Sequence, residues 1–247
     1  MTPLGRWLRG FTAPNPNTFD PGNVDKNELY DAQTAAIMER VLDRGSNCVD
    51  VGCHAGQILD EMLRFAPQGT HYAFEPLPHL YAALEEKYAG RANVRLHPLA
   101  LAAAAGETTF QHVVTNPAYS GILRRRYDRP NEEVIEIHVK LARLDDVVPK
   151  DLPIRLVKID VEGAELGVMK GALEVLRRSR PYVVFEHGLG GSDHYGTRPE
   201  HVWDLVQGCG LKLSLMGGWL EGRRPLRLAE LVDQFEHCRN HYFLAHP

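Results

Sequence analysis

Apolar and polar residues follow two rhythms along the chain. Short runs rich in valine, isoleucine, phenylalanine and leucine fall at residues 47–51, 71–74, 94–99, 155–159 and 182–185. Compact apolar runs of this kind mark buried strands. Between them, residues 57–65, 80–88 and 164–176 have the spacing of one-sided helices. A further helix is expected over 27–42, with Leu29, Ile37, Met38, Val41 and Leu42 on its apolar side. Residues 201–206 read as helical, and 211–215 and 242–245 as extended. Strands that alternate with helices build βαβ units, hence an α/β fold with a mainly parallel sheet and helices on both faces. Two alternating runs, 107–114 and 133–140, stand between the third and fourth core strands and read as a hairpin-like insertion.

The first 25 residues break both rhythms. Pro3, Pro14, Pro16 and Pro21 with Gly5, Gly10 and Gly22 predict a tail rather than a regular element. Its apolar Leu4, Trp7, Leu8 and Phe11 suggest packing on the domain or on a second subunit, so a homodimer is one expectation. Pro14 and Pro16 argue against an interfacial membrane helix there. The rest, 26–247, reads as one domain, which a chain of 247 residues accommodates.

Composition narrows the class. With 44% hydrophobic and 24% charged residues the chain is globular, which excludes collagen and wholesale disorder. The longest apolar run, residues 98–105, falls far short of the ~18 residues of a membrane span. No apolar signal-peptide core is visible, so a cytoplasmic protein without membrane partners is expected, with its 4 cysteines as reduced thiols. A net charge of −4 argues against a nucleic-acid partner.

Candidate chemistry gathers at the strand ends. The first strand runs into Asp50-Val51-Gly52-Cys53-His54-Ala55-Gly56, a D-x-G-x-x-x-G turn leading into a helix. Glycine permits a tight turn and close backbone approach, and a helix start offers free N–H groups. A dinucleotide site would place glycine where His54 stands. Asp50 suits a cationic amino group, which a pyrophosphate lacks. Glu75 ends the second strand, 23 residues after Gly52, where a carboxylate can accept hydrogen bonds from both ribose hydroxyls. Pro76 disfavours helical geometry at Glu75 and leaves the acid exposed. Taken alone, each feature is also met by an ordinary βα turn or a solvated acid. Together they favour S-adenosylmethionine over NAD as the nucleoside cofactor. The fourth core strand then delivers Lys158-Ile159-Asp160-Val161-Glu162-Gly163-Ala164-Glu165. Helix starts favour acids, which accounts for Glu162 and Glu165, whereas Asp160 stands at the cofactor face.

The blocks VDVGCHAGQ, FEPLPHLYAALEEKY, HPLALAAAAGETTF, LARLDDVVP and VKIDVEGAELGVMKGA occur in that order. They resemble the FkbM family of S-adenosylmethionine-dependent methyltransferases over about residues 45–190. The resemblance implies a Rossmann-like, seven-stranded methyltransferase fold and O-methylation of small molecules, sugars or polyketides. By the same resemblance Asp50, Gly52 and Gly56 form the methionine-binding turn, Glu75 holds the ribose, and Ala100 and Leu101 flank the adenine; His54, within that turn, is a further candidate cofactor contact. The family more often has Ala-Asn where this chain has Cys53-His54.

Methyl transfer to a hydroxyl needs an aligned acceptor and a route for its proton. Asp160 and Glu186-His187 end neighbouring strands and are the candidate catalytic residues. The same three are candidate ligands for Mg²⁺, a cation that takes carboxylate oxygens. Glu186 could equally bond a sugar or local backbone without metal. The glycine-rich stretch 188–196 reads as a substrate loop or a plain connector, with Asp193, His194 and Tyr195 as candidate contacts. Trp219 could stack on a sugar face or serve the core. Arg124, Arg125, Arg126 and Arg129 form a basic cluster that could touch an anionic acceptor, with a solvated face as the default reading. His237 and His241 could share a helix face but lack a zinc framework. The expected acceptor is a sugar or oligosaccharide hydroxyl. The competing readings are a polyketide or other natural product as acceptor, and a non-catalytic methyltransferase-fold assembly protein.

Overall fold

The computed structural model describes residues 26–124 and 132–247. The expected tail and the dimer contact assigned to it lie outside the described residues, as do Arg125, Arg126 and Arg129. The core is a seven-stranded sheet of β1 (Cys48–Val51), β2 (His71–Phe74), β3 (Val94–His97), β7 (Leu156–Ile159), β8 (Tyr182–Glu186), β9 (Lys212–Leu215) and β10 (Tyr242–His246). Their order across the sheet is β3-β2-β1-β7-β8-β10-β9. β1, β2, β3, β7 and β8 pair in parallel, and β10 runs antiparallel to both β8 and β9.

Every residue of β1, β2 and β7 is buried, as expected of parallel strands covered on both faces. The pleat sends alternate side chains to two apolar clusters. Val49, Val51, Val157, Ile159, Val183 and Phe185 face one, and Cys48, Leu156, Val184 and Leu244 face the other. Helix α1 (Lys26–Val41) and helix α2 (Gln57–Phe65) supply Ile37, Met38, Leu59 and Met62 to the second cluster. Helix α3 (Pro78–Lys87) joins β2 to β3.

The inserted runs do pair with each other. β5 (Gly106–Val113) and β6 (Val134–Ala142) are antiparallel from Gly106 opposite Leu141 to Val113 opposite Val134. The short β4 (Ala100–Leu101) adds in parallel to β6, giving a separate three-stranded sheet. It packs through Ala100, Phe110 and Val139 on Leu77.

Three elements differ from expectation. The helix expected over 164–176 is two helices, α5 (Glu165–Lys170) and α6 (Leu173–Ser179), which follow the short α4 (Leu144–Val147). The break falls at Gly171, where a Cβ would stand 2.0 Å from the Ala102 carbonyl oxygen. The helical stretch 201–206 grows to α7 (Pro199–Gly208), and beyond it α8 (Met216–Leu220) and α9 (Leu228–Glu236) stand where no helix was expected. α9 ends before His237, so His237 and His241 do not share a helix face.

Candidate active site

A cleft opens at the carboxyl ends of the parallel strands, between the main sheet and the inserted one. It is lined by Gly52, His54, Glu75, Ala100, Leu101 and Phe110, and also by Asp160 and Glu162. Asp50 and Gly56 stand behind this wall rather than on it.

The turn after β1 takes the left-handed conformation at Gly52 (φ 75°), His54 (φ 47°) and Gly56 (φ 78°). Glycine is needed twice for internal reasons. A Cβ on Gly52 would lie 1.9 Å from the Asp160 carbonyl oxygen, and one on Gly56 would lie 2.4 Å from the Tyr88 hydroxyl. His54 belongs with Asn and Asp among the residues that best tolerate this backbone region, so replacement of the family's usual Asn keeps the turn. Its N–H donates to Glu75 Oε2 at 2.9 Å, and the Leu77 N–H donates to Oε1 at 3.0 Å.

Glu75 is therefore not exposed as Pro76 implied; it is 5% accessible. Burial raises its pKa while the two backbone N–H groups oppose the rise. Each oxygen keeps acceptor capacity for a ribose hydroxyl. Asp50 is fully buried. Burial lifts its pKa to about 7, against the pull of Lys158.

The opposite end of the cleft is acidic. Ile159 pairs with Phe185, so Asp160 and Glu186 follow side by side at the ends of β7 and β8. Glu162 joins them, and one carboxylate oxygen from each of Asp160, Glu162 and Glu186 lies within 4.8 Å of the others. Glu162 sits at φ 60° and Gly163 at φ 107°. This turn is held by Glu165, whose Oε1 accepts N–H bonds from Val161 (3.1 Å) and Gly163 (3.0 Å). Burial raises Glu165 to about 7. Helix-start preference explains Glu165 but not Glu162; a spacing of two from Asp160 is the sequence signal that points to Glu162.

Two further groups come from side chains that sequence reasoning missed. Lys158 Nζ is 2.5 Å from Asp160 Oδ2, and the Tyr242 hydroxyl donates to the same oxygen at 2.7 Å.

His187 does not join this group. The pleat turns it to the face opposite Glu186, where it stacks on Phe235 at 4.8 Å and meets Ser192 Oγ at 3.1 Å. It is 1% exposed, and burial pushes it down to about 4. It anchors the following loop and is placed neither as base nor as metal ligand with Asp160 and Glu186. In that loop Asp193 accepts an N–H bond from Gly190 at 2.6 Å, and Asp193 and His194 are exposed. Tyr195 turns inward, accepting the Leu123 N–H at 3.0 Å and packing beside Gly163. Trp219 meets Tyr182, the first residue of β8, at 5.5 Å. At ~3.3 Å per residue that is roughly 13 Å from Glu186, so Trp219 serves the far end of the sheet rather than a sugar face at the cleft.

This strand order, the reversed β10, the glycine turn and the acid on the neighbouring strand define a Rossmann-like methyltransferase. Residues 50–213 match the methyltransferase FkbM domain, and the chain belongs to that family. Over 155 residues it is 30% identical to methyltransferase sdnD of Sordaria araneosa, a match covering 51% of this chain and 60% of that protein. Methyltransferase 1 of Beauveria bassiana (strain ARSEF 2860) is 28% identical over 141 residues, covering 50% and 57%. The chain thus spans little more than half the length of these curated relatives. The crystal structure of an FkbM methyltransferase from Methylobacillus flagellatus KT shares the fold, with a TM-score of 0.51 and 14% identity over 83% of this chain and 44% of that one. Among the described residues no helix is long and apolar enough to cross a membrane.

Proposed function

We propose that this methyltransferase takes S-adenosylmethionine as methyl donor and transfers the methyl group to a hydroxyl of a sugar or oligosaccharide. One observation carries the reading: Glu75 and the Asp160–Glu162 turn line the same cleft. A ribose-binding acid and a hydroxyl-binding acid cluster therefore open onto one space. The donor set fits the cofactor. Glu75 offers acceptor oxygens for ribose hydroxyls, Leu101 and Phe110 offer apolar walls for a base, and the buried Asp50 places a carboxyl behind the turn.

When bound, the cofactor would supply an electrophilic methyl group on a cationic sulfur. The chain aligns the acceptor oxygen and receives its proton. Asp160 and Glu162 accept the acceptor's O–H bonds, and Asp160 takes the proton as the new C–O bond forms. Glu186, beside them, bonds a neighbouring hydroxyl.

The same three carboxylates favour a second reading, in which they hold a hard cation such as Mg²⁺. Glu162 then takes the ligand position that sequence alone gave to His187. Calorimetry with S-adenosylmethionine, S-adenosylhomocysteine and NAD tests the cofactor, and NAD binding alone would refute it. Methyl-transfer assays on a panel of sugars and polyketide alcohols, with and without EDTA, test the acceptor and the metal. Cofactor binding with no turnover of any acceptor would favour the assembly role instead.

A further inference from the structure

Three features of the acidic end are not required by cofactor binding. Lys158, whose side chain is 9% exposed, is paired not with a structural acid but with Asp160, which fronts the cleft. Tyr242 comes from the antiparallel strand β10, outside the 50–213 family match, yet reaches the same Asp160 oxygen. Tyr242 is itself braced: its ring lies 4.9 Å from that of Tyr30, whose hydroxyl accepts the His241 N–H at 3.1 Å.

The strand registers explain how these groups meet. Asp50 is opposite Lys158 across β1 and β7, and Glu186 is opposite Tyr242 across β8 and β10. Lys158 thus sits among three carboxylates. Burial alone would depress its pKa, but Asp160, Asp50 and Glu186 together turn the shift upward. Its Nζ lies 5.9 Å from the centre of the Tyr242 ring, so cation and phenol converge from two strands. Two donors on one oxygen restrict the rotation of the Asp160 carboxylate at the strand end.

We propose that Lys158 and Tyr242 are positioning residues of the transfer site, clamping Asp160 Oδ2 so that the carboxylate meets the acceptor hydroxyl in one orientation. The inference rests on the proposed cofactor and on Asp160 facing the acceptor. It makes Tyr242 a reporter of charge at the reacting centre, because its hydroxyl shares a carboxylate with that centre.

The experiment labels the protein with 3-fluorotyrosine and follows ¹⁹F resonances, with the Tyr242 line assigned by its loss in Tyr242→Phe. S-adenosylmethionine carries the sulfonium charge and S-adenosylhomocysteine does not. The Tyr242 line is expected to move about twice as far or more with the first, and the excess should vanish in Asp160→Asn. Equal movement with both ligands, each binding, overturns the clamp and leaves the cofactor reading standing. Failure of both ligands to bind overturns the cofactor reading and the clamp with it. In turnover, Tyr242→Phe removes one hydroxyl and keeps the ring packing. It is expected to lower kcat about tenfold with the cofactor KM changed by less than about twofold. Lys158→Met, close in shape, should show the same split. An unchanged kcat in both variants would also overturn the proposal.

Discussion

The two ends of the cleft are made of different material. At the cofactor end the backbone does most of the shaping: a left-handed turn at Gly52 and His54 hands an N–H to Glu75, and Leu77 hands it another. At the acidic end side chains from three strands and a turn converge, and Lys158 and Tyr242 meet on Asp160. A backbone-built end admits only residues that its turn can hold, as His54 at φ 47° illustrates. In a side-chain-built end each member is held by another. Damage at the first end should therefore appear in folding and binding, and damage at the second in turnover.

The largest test of that contrast is Gly52→Ala. The added Cβ meets a backbone oxygen at 1.9 Å and the residue must keep φ near 75°. Loss of about 3 kcal/mol or more is expected in chemical denaturation. A variant as stable as the parent would mean that the turn is not backbone-limited. Next, Asp160→Asn should cut methyl transfer about 100-fold while S-adenosylhomocysteine binds within about threefold of the parent. Comparable losses in both measurements would erase the distinction between the two ends.

Glu75→Ala should reverse the pattern, weakening cofactor binding about tenfold by calorimetry, since two buried N–H groups also lose their acceptor. Retained affinity would remove Glu75 from the site. The smallest effect is expected from His187→Phe, with kcat within about threefold of the parent. His187 is depressed to about 4 in the folded chain, so between its ordinary value near 6.5 and about 4 the unfolded chain binds the extra proton. Stability from this residue is present above that window and lost as pH falls through it. Melting temperature against pH should therefore decline less steeply on the acid side in His187→Phe. An identical acid limb would show that His187 titrates as an ordinary exposed imidazole.

What could be read from the sequence follows the same division. The strands β1, β2, β7 and β8 were legible because parallel strands covered on both faces carry compact apolar runs. The glycine turn and Glu75 were legible because a backbone-built site leaves its marks close together in the chain. The reason for the glycines was not: Gly52 answers to the Asp160 carbonyl, a neighbour only in space. Tyr242 is 82 residues from Asp160, and no periodicity links them. Helix-start preference accounts for acids in general, and cannot show that Glu162 stands at φ 60° beside Asp160. The pairing of Glu186 with His187 in one role ignored the pleat, since adjacent residues of a strand cannot face the same side. The split between α5 and α6 depends on Ala102, far from Gly171 in sequence, and a helical rhythm cannot show it.

Strand β10 lies between β8 and β9 and is made after both. On a ribosome the glycine turn and Glu75 emerge early, with their hydrogen bonds already available from nearby backbone. Tyr242 emerges more than a hundred residues after Glu75 and must enter the gap between two strands already synthesised. A growing chain thus carries the glycine turn and Glu75 well before its acidic end has its last donor. Order of synthesis then separates a chain with its glycine turn and Glu75 in place from one whose acidic end is complete.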